Sequence, residues 1–150
     1  MRRTLGKTAV WLFAALLAGT AGADSGALPP VQRSGDISYI SGGIGEDEIQ
    51  AIKAAAAQYA LQITFFSHAD TGRDTYNAPA ELTILKADGS PVLDLKPEGP
   101  FLLVDLPAGK YRVIAANPAW SRTLPVELGA GAHKKLIFQM PEIAQPPDQK

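Results

Sequence analysis

The 150-residue chain contains no cysteine. This excludes a disulfide framework, a thiol nucleophile and a thiolate metal site. Histidine is almost as scarce. His68 and His133 are the only two, far apart and in neither the His-x-x-x-His nor the Glu-x-x-His spacing of a zinc site. No bound zinc is expected from them. Long apolar runs are also missing. The most apolar stretch, Ala9 to Ala18, has only about ten residues, too few to span roughly 30 Å of hydrocarbon as a helix. No strong excess of one charge exists, with 14 Lys and Arg against 15 Asp and Glu. No basic patch stands out, so nucleic acid and anionic lipid are not expected partners. There is no Gly-x-Ser-x-Gly elbow, no P-loop lysine and no repeat of solenoid period.

What is present begins with an export signal. Arg2, Arg3 and Lys7 precede the apolar run, and Ala21-Gly22-Ala23 is an Ala-x-Ala cleavage site. The expectation is a signal peptide over 1–23, a mature chain from Asp24 and a periplasmic or secreted location. Three of the basic residues leave with the signal, so the mature chain carries a net charge of about −4. No stable membrane insertion is expected after cleavage. Residues 24–36 read as a flexible leader and 141–150 as a disordered tail, each rich in proline or glycine. The domain then spans 37–140.

Ile37 to Ile40 is a strand candidate, broken by Ser41-Gly42-Gly43-Ile44-Gly45. A helix follows over Glu46–Tyr59, with Glu46, Asp47 and Glu48 in its first turn and Ile49, Ile52, Ala56 and Tyr59 on one stripe. Leu61, Ile63 and Phe65 alternate with Gln62, Thr64 and Phe66, which predicts a strand. Ser67 to Pro79 reads as a polar loop. Asp88-Gly89-Ser90 predicts a hairpin between Leu82–Leu85 and Val92–Leu95. Two apolar runs, Phe101–Val104 and Tyr111–Ala116, flank Leu106-Pro107-Ala108-Gly109 and read as a second, central hairpin. Ser121–Leu128 is a strand whose Pro125 places it at an edge or bulge. Lys135–Met140 is the last strand. The pattern predicts a mainly β fold, a β-sandwich with one N-terminal helix in a strand-helix-strand extension. Leu82, Ile84, Leu103, Tyr111, Val113, Val126 and Ile137 are expected in its core.

The run Ala80-Glu81-Leu82-Thr83-Ile84, then Asp88-Gly89-Ser90-Pro91-Val92, then Leu106-Pro107-Ala108-Gly109-Lys110-Tyr111-Arg112-Val113 resembles a carboxypeptidase regulatory-like domain of the bacterial envelope. The resemblance implies a transthyretin-like (prealbumin-like) sandwich and a mostly non-catalytic role. The 5-hydroxyisourate hydrolases share that fold but end in Tyr-Arg-Gly-Ser, whereas this chain ends in Pro-Pro-Asp-Gln-Lys. Their activity is not expected here.

No catalytic constellation is legible, and no cofactor is implied. His68, Asp70, Asp74 and Asn77 share one loop, without the alternation or the closing Glu of a calcium loop. Two candidate binding surfaces remain. Glu46, Asp47 and Glu48 form an acidic docking site or simply cap a tight glycine turn. Trp120, with Arg122, Asn117 and Tyr111, offers an aromatic platform for sugar or a plug at one end of the sandwich. The expectation is a non-catalytic binding or structural module, engaging an envelope protein by strand addition or a polysaccharide at Trp120, with an uncharacterised hydrolase the remaining alternative.

Overall fold

A computed structural model describes residues 28–68, 72 and 74–141. The expected signal peptide, most of the expected tail and Asp70 lie outside the described residues. Along the chain run β1 (Gln32–Ser34), β2 (Ile37–Gly42), α1 (Glu46–Ala55), a 3-10 turn (Ala56–Gln58), β3 (Leu61–His68), β4 (Asp74–Tyr76), β5 (Glu81–Lys86), β6 (Pro91–Leu95), β7 (Phe101–Asp105), β8 (Gly109–Asn117), β9 (Trp120–Leu128) and β10 (Lys134–Met140). One sheet has the order β1-β2-β7-β3-β10, with β4 beside the end of β3. The second has the order β6-β5-β8-β9. The inner faces meet in a core that includes Leu61, Ile63, Phe65, Leu82, Ile84, Leu102, Val104, Tyr111, Val113 and Phe138. Among the described residues the protein is a mainly β sandwich with a single α-helix.

Several local readings hold. Asp88-Gly89 turns β5 into β6, and the Asp88 carboxylate accepts both the Ser90 N–H at 2.9 Å and the Ser90 hydroxyl at 2.5 Å. Those donors lower the Asp88 pKa below the usual carboxylate range. β9 lies at a sheet edge, where Pro125 costs no second ladder, and it runs unbroken through that proline. A strand absent from the sequence reading, β1, pairs with β2 inside the stretch taken as leader. The loop expected over Ser67–Pro79 is shorter than that, because β3 continues through His68 and β4 pairs back onto it.

The central hairpin is not a hairpin. β7 pairs with β2 and β3 in one sheet, while β8 pairs with β5 and β9 in the other. Leu106-Pro107-Ala108 is therefore a corner between sheets. The Tyr111 hydroxyl closes it, donating to the Pro107 carbonyl at 2.7 Å, and burial raises the phenol's pKa. Gly109 begins β8 in nearly extended geometry, with φ at 159°. The real partner of β8 is β9, in nine-residue register across the two-residue loop Pro118-Ala119. The physical reason lies in the side-chain pattern. β8 alternates, so one face is buried. Phe101-Leu102-Leu103-Val104 has no polar position, and such a strand needs cover on both faces.

The second cover is the helix. β2 and β3 both run antiparallel to β7 and flank it, so α1 crosses over β7. Ile52 and Ala55 pack with Ile40, Phe101 and Leu103 in a second apolar cluster. The fold thus has three layers: helix, sheet, sheet. Leu103 is buried as expected, but under the helix rather than in the sandwich. Ile137 corrects the core reading outright. It is 59 % exposed, because Phe138 and Met140 take the inward positions of β10 and the pleat turns Ile137 out.

Candidate interaction surface

The glycine turn before α1 binds an anion, and the anion is its own. Gly43 and Gly45 have φ of 105° and 101°, a region that side-chain-bearing residues rarely enter. The turn exposes successive N–H groups at the helix start. The Glu48 carboxylate reaches back to accept the Gly43 N–H at 2.6 Å and sits 3.5 Å from the Ile44 nitrogen. This is the logic of a capping box, with the acid three residues into the helix serving donors that precede it. A Cβ on Gly42 would collide with that carboxylate, and one on Gly99 would collide with the Gly42 carbonyl. Of the three acids, Glu48 is bound into the turn, Glu46 accepts from the Gln50 amide at 2.7 Å, and Asp47 is exposed.

The Trp120 group is divided between packing and surface. Trp120 is half-buried against the main core. The Asn117 amide oxygen accepts the Ala80 N–H at 2.6 Å, and its nitrogen is 4.0 Å from the Met140 sulfur. Arg122 is exposed. Trp120 and Asn117 are thus both engaged in holding this end of the sandwich, leaving Arg122 as the free polar arm.

The histidines are separated by the fold as well as by sequence. His133 immediately precedes Lys134, which pairs with Leu61, whereas His68 ends the same strand β3. Seven residues of strand put them about 23 Å apart. Among the described residues no three His, Asp or Glu side chains come together.

The surface that the sequence reading missed lies on the outer face of the helix-bearing sheet. α1 covers β7 and the adjoining β2, but not the far end of β3. There Phe66 pairs with Tyr76 of β4 and with Gln139 of β10, and Ile137 pairs with Thr64. All point outward by the pleat. Tyr76 is 50 % exposed and its ring lies 5.4 Å from that of Phe101. Ile44, 74 % exposed, stands beside Gly43, whose α-carbon abuts the same Phe101 ring. The patch therefore begins where the helix layer stops.

Among the described residues it borders an unpaired strand edge, that of β10. Free edges are normally guarded by brevity, proline or charge. β1 and β4 have three residues each, β6 starts with Pro91, and β9 contains Pro125. β10 is seven residues long with no proline, and its guards, Lys134 and Lys135, sit at one end only. Ile137 was legible as apolar; its outward direction depended on which alternate residue the opposite sheet accepted. Among the described residues no helix is long and apolar enough to cross a membrane. Compared with known proteins, the chain matches no family model, no curated protein and no solved structure.

Proposed function

We propose that this chain is an exported, non-catalytic binding module of the bacterial envelope that docks an extended segment of a protein partner along β10. The observation that carries the reading is the unguarded edge of β10 beside an uncovered apolar half-face. A strand added there would satisfy the free backbone groups of β10 and extend the sheet. Its outward side chains would lie beside Ile137 and enlarge the patch shared with Phe66 and Tyr76. The export signal supports an envelope location, and the resemblance to carboxypeptidase regulatory-like domains supports an accessory rather than catalytic role.

A photoreactive amino acid placed at Ile137 tests this in intact cells. A discrete crosslinked partner is expected from position 137 and not from Arg122 on the other sheet. The Ile137→Lys variant should lose capture by a probe at position 139 while retaining its thermal midpoint. Equal crosslinking from both sheets, or capture unaffected by Ile137→Lys, would overturn the reading.

A further inference from the structure

A second feature lies at the opposite end of β10, beneath the last turn of the helix. Lys53 and Ala56 of the helical segment, Gln62 of β3, and His133, Lys134 and Lys135 line a cleft of about 250 Å³. Among the described residues no carboxylate lines it. Lys135 is the register partner of Gln62, so both side chains rise from the outer face of the sheet side by side. The His133 ring is held in place: its Nδ1 lies 2.8 Å from the Tyr59 carbonyl, which can only accept, so Nδ1 carries the proton.

Each cation has an individual explanation. Lys53 sits in the last turn of α1, where positive charge favours the helix dipole. Lys134 and Lys135 guard a strand edge. Neither explanation covers Gln62. The residue is 9 % exposed, yet its side chain hydrogen-bonds to nothing among the described residues. Among the described residues no side-chain nitrogen or oxygen is both sealed from solvent and unpartnered, so the Gln62 amide opens into the cleft. A polar group that is nine-tenths buried and has no protein partner is set to meet something from outside.

We propose that this cleft binds a phosphate group, with the Lys53 and Lys135 ammonium groups supplying charge and the Gln62 amide donating a hydrogen bond. Phosphate fits better than a carboxylate for two reasons. Three lysines line the cleft, and their summed charge suits a dianion. No planar guanidinium fork is present to match a carboxylate edge. The group arrives either as a soluble phosphate or as a phosphorylated lipid headgroup.

The test titrates inorganic phosphate against chloride at constant ionic strength into ¹⁵N-labelled protein. Saturable shifts are expected at the amides of Gln62 and Lys135. Lys53→Gln and Lys135→Gln should each weaken binding by about tenfold, the loss of one charge-assisted contact. Gln62→Leu should weaken binding while retaining the thermal midpoint, and Lys86→Gln, on the other sheet, should change nothing. Shifts that do not saturate, or that survive the double Lys53→Gln, Lys135→Gln variant, would overturn the site. Co-sedimentation with phosphatidylglycerol but not phosphatidylcholine vesicles, lost in that double variant, assigns the headgroup source. Phosphate binding without co-sedimentation assigns the soluble one.

Discussion

The outer face of the helix-bearing sheet is built in two halves from neighbouring strands, β2 and β7 on one side and β3, β4 and β10 on the other. Over β2 and β7, Ile40, Phe101 and Leu103 are sealed by Ile52 and Ala55 of α1. On the neighbouring β3, β4 and β10, Phe66, Tyr76 and Ile137 have no such layer among the described residues. The composition of the two halves is alike, but their cover is not. The difference shows that apolar content by itself does not say what is core. The ten-residue length of α1 and the crossing of one strand, β7, decide where cover ends.

The sharpest way to separate the halves is truncation on each side. Phe101→Ala should cost about 3–5 kcal/mol, by loss of a buried ring beneath the helix. Tyr76→Ala, half-exposed beside it, should cost under about 1 kcal/mol. Urea denaturation measures both, and comparable losses would mean that the halves are packed alike.

The glycine turn that aims the helix gives a smaller, graded effect. Gly45→Ala meets open space and should cost only the backbone strain of its positive φ, about 1–3 kcal/mol. Gly43→Ala adds a Cβ at 2.5 Å from the Phe101 Cδ2, so it should lower the thermal midpoint further. A smaller loss from Gly43→Ala than from Gly45→Ala would place the helix elsewhere.

Next comes the acid pair. Glu48→Ala should cost about 1–2 kcal/mol, because two turn N–H groups lose their acceptor. Glu46→Ala should cost only a few tenths of a kcal/mol, the worth of an exposed helical side-chain pair. Equal effects would show that charge near the helix terminus matters, not the bonded turn.

On the uncovered half, Ile137→Lys should leave stability within about 0.5 kcal/mol. A larger loss would mean that the side chain is core after all.

The mildest test uses pH on the covered half. Tyr59 packs beside the helix cluster, and its pKa is raised above the ordinary phenol value by burial and then by the Asp105 carboxylate. The folded state thus favours the neutral phenol. Its contribution to stability is complete below about pH 10, the unfolded value, and falls as pH rises through the folded value. Tyr59→Phe should flatten the alkaline slope of stability; an unchanged slope would remove Tyr59 from that layer.

Local signals in the sequence determined local structure. Asp88-Gly89 made a hairpin, three acids opened a helix, and alternation in Tyr111-Arg112-Val113 chose the inward face of β8. Each signal acts between residues a few positions apart, where backbone geometry and side-chain period suffice. Phe101 to Val104 was legible as an apolar strand, but its cover on both faces was not. Tertiary structure decided the rest. It sent β7 and β8 to different sheets, because pairing partners are chosen by burial across the whole molecule and not by the shortest loop. It turned Ile137 outward, because only one alternate set of β10 could meet the opposing core. It also brought Gln62 beneath Lys53 and beside Lys135, although 73 positions separate Gln62 from Lys135 in the chain, because β10 returns parallel to β3 after every other strand has been laid down.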